Sequence, residues 1–262
     1  MTVAPDPAEI FERAAEEGER RLDQTLLELV ANSFIAGFTV VFGIVALGIV
    51  EALIPARYGG IVAIGGALAF GVALVFLIVG RTELFNENFF DPVSAIVSRE
   101  DSRAITPLLR LWTLTFAFNL VGGGLFALVF TIDGTLPAGA VEILRHTAEE
   151  IAHRTATAEF AKGIVGGALV ALLSYLLAAV NSVGSRMTLA YVVGVLLTLG
   201  PFDHVIVTIL HVLFGVLFGA DITLTRLAIS TVAVTAGNLV GGVGLVTFSH
   251  VAEVAGADDS FG

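Results

Sequence analysis

Cysteine is absent from this 262-residue sequence, lysine and tryptophan each occur once, and only 14% of the residues are charged. The lack of cysteine excludes disulfides, thiolate metal sites and cysteine nucleophiles. Soluble domains carry roughly 25% charged residues, so a soluble fold is disfavoured. The net charge of −11 argues against a nucleic-acid partner, because binding phosphates requires a basic face. The acidic excess also suggests a salt-loving source.

Apolar residues make up 56% of the chain, and the mean hydropathy is +0.93. They fall in runs of about twenty residues or more, which are long enough to cross a hydrocarbon core about 30 Å thick. This pattern predicts an all-α integral membrane protein. The six predicted transmembrane helices are Leu26–Leu53, Gly59–Gly80, Ile105–Ile132, Phe160–Val180, Met187–Phe218 and Thr223–Val251.

Two of the predicted spans are broken. The second span is followed by the sequence GRTELFNEN at residues 80–88, and the fifth is interrupted by Gly200-Pro201, with Phe202-Asp203-His204 directly after. Lipid tolerates non-helical backbone only where protein buries it or water lines it. A pair of interrupted spans therefore indicates a transport site near the bilayer midplane, as in a pore or carrier.

The two halves of the chain resemble each other. The motif Asn-Leu-Val-Gly-Gly occurs at Asn119–Gly123 in the third span and again at Asn238–Gly242 in the sixth. Each half ends with this motif and carries its broken span just before it. A repeat of three spans must insert its second copy upside down, so the sequence predicts an inverted 3+3 repeat with broken second and fifth helices.

The predicted organisation has three parts. An amphipathic helix at residues 1–24 is followed by a transport domain at 25–251 and an acidic tail at 252–262. The transport domain comprises halves 25–132 and 159–251, joined by a polar connection at 133–158 with a helix at Ala140–Arg154. Basic residues are more numerous in the segments on the same side as the termini. This predicts a multi-pass protein of the cell (inner or plasma) membrane with both termini in the cytoplasm.

His204 is the sharpest candidate for a functional residue, because it follows the second break at membrane depth. An ionisable residue there is a functional hypothesis by default, and histidine can exchange a proton near neutral pH. The alternative is a neutral histidine that only satisfies the broken helix. Asp203 is expected to cap the next half-helix. Glu83 and Glu87 are expected to bind Arg81 or backbone N–H groups and so organise the first break.

Three segments together resemble the signature segments of the formate/nitrite transporter family: Glu83–Asn88, Phe202–His204 and Gly237–Gly242. The resemblance covers about Leu26 to His250 and looks closest to a less studied bacterial and archaeal branch. It implies an aquaporin-like protomer in the lipid bilayer that assembles as a homopentamer, each protomer with its own pore. The implied substrates are small monovalent anions of weak acids, namely formate, nitrite, acetate or hydrosulfide.

The resemblance also implies roles for individual residues. His204 matches the central histidine, Lys162 matches a vestibule lysine that attracts the anion, and Asn119 and Asn238 match asparagines of the third and sixth spans. Two apolar constrictions are implied, one formed by Leu84, Phe85 and Leu197 and the other by Phe70 and Leu74. A proton from His204 or its water would neutralise the anion and remove the cost of carrying a bare charge through apolar rings.

The sequence departs from the family pattern at two places. Asn86 stands where the family usually has a threonine hydrogen-bonded to the histidine, and Val207-Thr208 replaces the usual Ala-Asn pair. Asparagine both donates and accepts, so contact with the histidine can be retained. Selectivity and gating stay open at this point, and so does the preferred anion.

Other functions fit the sequence less well than an anion pore does. A water or neutral-solute channel of aquaporin-like architecture would carry two Asn-Pro-Ala boxes, and the sequence has none. A non-conducting structural relative is a further alternative. An intramembrane serine protease is disfavoured because Ser185 has no evident oxyanion site, so no enzymatic activity is expected. Glu150 and His153 form one Glu-x-x-His pair, whereas a di-iron site needs two, so no metal or other cofactor is expected.

Overall fold

The structure is a computed structural model that describes residues 5–99 and 105–258, apart from the side chains of residues 99, 257 and 258. Within these ranges the chain is helical and contains no β-strand, as the hydropathy pattern predicts. The α-helices in these ranges are α1 (Pro7–Leu22), α2 (Leu26–Leu53), α3 (Gly60–Gly80), α4 (Asp91–Arg99), α5 (Ile105–Val129), α6 (Ala138–Ala152), α7 (Ala156–Ala178), α8 (Val183–Leu199), α9 (Val205–Leu217), α10 (Leu224–Leu239) and α11 (Phe248–Asp258).

The helices of the first half begin and end at local sequence signals. The Thr25 hydroxyl caps α2 by accepting from the Glu28 backbone N–H at 3.3 Å, and α2 ends just before Pro55. The end of α3 is marked by Arg81, which adopts a left-handed conformation with φ 52°. A 3₁₀ turn at Phe85–Asn88 then separates α3 from α4. The predicted break after the second span is confirmed.

The second half shows the same plan. Helix α8 ends at Leu199 and α9 begins at Val205, so the predicted break of the fifth span is confirmed as well. Helix α10 continues through a π-helical segment, Val240–Thr247, directly into α11. Such segments are rare and occur frequently at functional sites. This one begins two residues after Asn238, inside the repeated motif.

Five helical segments are long and apolar enough to cross a membrane: Leu26–Leu53, Gly60–Gly80, Ile105–Val129, Ala156–Ala178 and Leu224–Gly256. Helices α8 and α9 are apolar but shorter, with 17 and 13 residues. Together they occupy the predicted fifth span as two half-helices. The chain is thus an all-helical, multi-pass membrane protein, and the count of six spans stays a prediction.

Helix α1 lies against the transport domain through an apolar face. Ile10, Phe11, Ala14 and Leu22 are buried, and the helix packs on α4, α7 and α11. An amphipathic helix was predicted here from the spacing of its apolar residues. Residues 1–4 of the predicted segment, and residues 259–262 of the predicted tail, lie outside the described residues.

The polar connection contains the predicted helix, α6. Its buried side chains, Ala140, Leu144, Ala148 and Ile151, recur at helical spacing and pack on α9 and α2. The helix therefore covers one end of the second half-helix. This packing brings the end of α6 next to the second break.

Candidate transport site

The first break is held by the side chain of Asn119 from α5. Its amide nitrogen donates to the backbone carbonyls of Ser33 and Glu83, at 2.8 and 2.9 Å, and its Oδ1 accepts from the Phe85 backbone N–H at 3.0 Å. The side chain is fully buried. One asparagine therefore satisfies two backbone groups of the break that have no helical partner, and it also binds a carbonyl of α2.

Asn238 holds the second break in the same way. Its amide nitrogen donates to the carbonyls of Gly163 and Asp203, both at 2.7 Å, and its Oδ1 accepts from the Val205 backbone N–H at 3.0 Å. Each asparagine thus makes a set of three bonds to the backbone of its own half of the chain. It binds a carbonyl early in that half, a carbonyl in the break, and the N–H group two residues after the carbonyl in the break. We call these two sets the asparagine clamps. Their equivalence supports the internal repeat read from the sequence.

Glycines let the clamps approach the neighbouring helix closely. A side chain at Gly37 would collide with the backbone carbonyl of Asn119, and a side chain at Gly167 would collide with that of Asn238. Gly122 and Gly241 likewise lie against carbonyls of Phe34 and Ile164, which requires their lack of a Cβ. The glycine-rich motif therefore serves helix packing in both halves.

Asn86 joins the two breaks. Its Nδ2 donates to the Oδ1 of Asn238 at 2.8 Å, so that Oδ1 accepts from both Asn86 and the Val205 N–H. The Oδ1 of Asn86 is buried without a hydrogen-bond partner among the described residues, and so is the Nε2 of His204. The direct bond between Asn86 and the histidine, retained as an expectation from the family pattern, is not formed.

His204 caps α9 and is only 2% exposed. Its Nδ1 accepts from the Ile206 backbone N–H at 3.2 Å. Because a backbone N–H can only donate, Nδ1 is unprotonated and the proton of the neutral ring lies on Nε2. The site therefore presents a buried N–H donor that no described protein group takes up.

The prediction that Asp203 caps the second half-helix is wrong. Its carboxylate is instead bound by Arg154, with Nη1 at 3.2 and 3.1 Å from the two carboxylate oxygens. Arg154 follows α6 and reaches the break because α6 packs on α9. The N-cap of α9 is the next residue, His204.

A cavity of about 280 Å³ includes His204 in its wall. Leu197 and Thr208, both predicted site residues, line it, and His211 lines it with its Nδ1 3.0 Å from the Val207 carbonyl. The charged residues of the wall are Glu51, Glu150, Arg154 and Asp203. Lys162, predicted to line a vestibule, is not among the lining residues. The cation beside this cavity is Arg154.

The predicted constriction residues share one buried apolar core. Phe70, Leu74, Leu84, Phe85 and Leu197 are each at most 7% exposed and belong to the same cluster. The Phe85 ring makes edge contacts with Phe89 and Phe116, at 5.1 and 5.2 Å between ring centroids. These contacts fix the apolar side of the first break. Whether these residues form two separate constrictions stays a prediction.

Glu83 and Glu87 were expected to bind Arg81 or loop N–H groups, and among the described residues neither carboxylate pairs with Arg81. Glu83 accepts from Gln24 at 2.6 Å and pairs with Arg20 at 3.3 Å and Arg21 at 3.7 Å, all from the α1 end of the chain. Arg81 instead lies 3.5 Å from Glu17 of α1. No ion pair to Glu87 is found within residues 5–99 and 105–258. Apart from the presence of arginines in α1, no sequence signal points to these partners.

Metal ligation finds no support in the described part of the chain. No group of three or more histidine, aspartate or glutamate side chains there is placed to hold a metal ion. His146 and Glu150 lie on the exposed face of α6, 3.8 Å apart. Their neighbourhood is an open surface next to Arg154.

Comparisons with known proteins agree with this architecture. The profile of the family described as Formate/nitrite transporter matches residues 8–252. The inner membrane protein YfdC of Escherichia coli (strain K12) is 23% identical over 258 residues, covering 94% of this chain and 78% of its own length. The formate channel BtFdhC of Bacillus thuringiensis is 25% identical over 253 residues, with 94% of both chains covered.

A solved structure, a pentameric formate channel with formate bound, has the same fold. The superposition gives a TM-score of 0.71 and covers 86% of this chain and 95% of that one, at 20% sequence identity. The two broken helical segments, the repeated asparagine motif and the family match over nearly the whole chain lead to one conclusion. This protein belongs to the formate/nitrite transporter family.

Proposed function

We propose that this protein is a channel for small monovalent anions of weak acids, with formate as the first candidate and nitrite, acetate and hydrosulfide as others. The observation that carries the proposal is the Nε2–H of His204, a buried donor without a described protein partner in the wall of a cavity. An anion of one to four heavy atoms can accept this hydrogen bond. The formate channels among the relatives support formate as the candidate.

The electrostatics of the cavity favour passage of the neutral acid. Glu51 borders the cavity, Glu150 lies at its solvent-exposed edge, and Arg154 is already paired with Asp203. A bare anion would meet these carboxylates and would then lose its hydration at the apolar core around Leu197, which is costly. The protonated acid avoids both costs. The lining therefore supports proton-assisted transport over conduction of the free anion.

His204 is suited to hand a proton to the anion. A second proton on the ring would have to sit on Nδ1, where it would displace the Ile206 N–H that caps α9. The charged ring is therefore the less stable form at this position, and a proton that it acquires passes readily to a bound anion. The anion takes the Nε2 proton and leaves the other proton on Nδ1, so the helix cap is restored when Nδ1 gives up that proton and Nε2 binds a new one.

The proposal includes the setting of the channel. A homopentamer in the inner membrane is supported by the pentameric neighbour, the inner-membrane relative and the exposed apolar faces of the spans. The placement of both termini in the cytoplasm rests on the excess of basic residues on their side of the membrane. A role other than catalysis is supported by the formate channels among the relatives and solved structures. The α1 side of the pore would then face the cytoplasm.

The test is flux of radiolabelled formate into proteoliposomes between pH 5 and 8, with nitrite, acetate and hydrosulfide in parallel. We expect saturable flux that rises as pH falls in the wild type and changes sharply in His204→Asn. Asparagine is a good helix cap, so this variant retains α9 while removing the ring. His204→Leu, which loses cap and ring together, is the matched control for the structural role.

Two results would overturn the proposal. Glycerol or water flux without anion flux would identify a neutral-solute channel, and no flux of any solute in correctly folded protein would identify a non-conducting relative. Equal flux in wild type and His204→Asn at every pH would remove the histidine from the mechanism.

A further inference from the structure

Glu87 is a buried carboxyl in the first break that the mechanism above does not use. It is 2% exposed, and its Oε1 has no hydrogen-bond partner among the described residues. Its backbone carbonyl, by contrast, accepts from Arg21 at 2.9 Å and from the Ser174 hydroxyl at 3.4 Å. The backbone of this residue is therefore fixed, while one carboxyl oxygen, Oε1, is left without a partner among the described residues.

The cations near Glu87 are engaged elsewhere. Arg21 lies 3.3 Å from Asp91, 3.3 Å from Glu17 and 3.7 Å from Glu83, and Arg20 pairs with Glu17 and Glu83. Burying a carboxylate charge without a cation of its own is costly, so the neutral acid is favoured at Glu87. The charged and titratable groups that face it are Glu17, Arg20 and Arg21 from α1, Arg81 and Glu83 from the break, Asp91 from α4 and Arg186 from α8.

Glu87 lines a small space beside the first break. A space of about 20 Å³ is bordered by Glu83, Glu87, Leu77 and Leu177, and this volume accommodates one water molecule. Glu17, Arg81 and Arg186 border both this space and a cavity of about 430 Å³ beneath α1. The two cavities that approach the pore lie at opposite ends of α3, since one is lined by Ile78 and the other by Ala63.

We propose that Glu87 is the proton-binding site for transport on the α1 side of the pore. An anion that arrives through the larger cavity takes the proton from the Glu87 carboxyl, so the O–H bond of Glu87 breaks and an O–H bond forms on the anion. The neutral acid then enters the apolar core at Leu77 and Leu84. Water of the cavity beneath α1 returns a proton to the Glu87 carboxylate and releases hydroxide there. This inference rests on the proposed function.

The experiment measures protons and formate together in proteoliposomes that contain a pH-sensitive dye. The variants are Glu87→Gln, Glu87→Asp and Glu142→Gln, the last removing an exposed carboxyl of α6 that lines none of the three cavities described above. We expect Glu87→Gln to lose at least about tenfold in formate flux at pH 7.5, a modest loss for removal of a proton donor. At pH 5, where bulk formic acid is more abundant, the loss should be less than about twofold.

Glu87→Asp retains a carboxyl and should keep one proton per formate at a reduced rate, whereas Glu142→Gln should match the wild type. A fall in Glu87→Gln flux by the same factor at every pH would show a structural role and overturn the inference. Unchanged proton-to-formate stoichiometry and rate in that variant would overturn it as well. In both cases the wild type would still carry formate, so the proposed function would be retained. A wild type that carries none of the four anions would overturn the proposed function and this inference together.

Discussion

The side chains of Asn86 and Asn238 form a hydrogen bond of 2.8 Å between residues 152 positions apart. This bond makes the two clamps unequal. The Oδ1 of Asn119 accepts from one described donor, the Phe85 N–H, whereas the Oδ1 of Asn238 accepts from two. The second clamp therefore fixes both breaks at once, and it lies beside His204.

The inequality predicts different couplings in double-mutant cycles. Asn86→Ala and Asn238→Ala remove two ends of one buried hydrogen bond, so their effects on the free energy of unfolding should be coupled by about 0.5–3 kcal/mol. Asn86→Ala and Asn119→Ala share no bond and should add within about 0.5 kcal/mol. Unfolding in mixed micelles, followed by tryptophan fluorescence, measures both cycles. Equal coupling in the two cycles would contradict the geometry.

The spans and breaks could be predicted because their signals are local. Thr25 and Pro55 bound α2, and Gly200-Pro201 interrupts a run that hydropathy alone would extend. The repeated motif predicted matching roles for Asn119 and Asn238, and the structure gives them matching hydrogen bonds. Each of these signals is a short segment of the chain, and the repeat is recognised by comparing two such segments.

The partners of charged groups could not be predicted in this way. Asp203 fits a helix cap by its sequence position, but Arg154, 49 residues away, takes its carboxylate. Arg81 lies two residues before Glu83 and is its nearest cation in the sequence. The side chains that bind the Glu83 carboxylate nevertheless lie about sixty residues away, at the α1 end of the chain. Such pairs depend on how whole helices pack. Local spacing carries no information about that packing.

Glu17 of α1 makes the stability of the fold depend on pH. Burial alone would raise the pKa of Glu17, but hydrogen bonds and charge from Arg20 and Arg21 outweigh it and lower this pKa from 4.5 to about 2. A carboxyl with a lowered folded-state pKa stabilises the fold above its unfolded pKa and loses that contribution as pH falls through the folded value. About a third of this side chain is exposed, so the contribution is about 1 kcal/mol or less.

We therefore expect the wild type to unfold at a higher temperature than Glu17→Gln above pH 4.5, with the difference disappearing as pH falls towards 2. Thermal unfolding in detergent across this window measures the effect. Glu12→Gln is the matched control, because Glu12 lies on the exposed face of the same helix. A difference that persists undiminished at the acid end would rule out this role for Glu17.

Arg154 and Lys162 are the two candidates for the cation that attracts the anion to the cavity. Arg154 lines the cavity beside His204 and neutralises Asp203, whereas Lys162 contributes its backbone carbonyl to the Asp203 N–H at 3.2 Å and is absent from the cavity wall. Removing Arg154 leaves an unpaired carboxylate next to the site. At an effective dielectric constant near 20, a charge several ångströms away costs about 1 kcal/mol or more, or roughly fivefold in rate.

Arg154→Gln should thus lower formate flux about fivefold at low salt, while Lys162→Gln lowers it less than about twofold. Asp203→Asn combined with Arg154→Gln removes the unpaired charge and should restore most of the flux. The defect should also shrink as ionic strength rises, because salt screens charges that water can reach. The measurement is the initial rate of formate flux, at low and at high salt, for the wild type, the two single variants and the double variant. A larger loss in Lys162→Gln would return the vestibule role to the lysine that the family pattern implies.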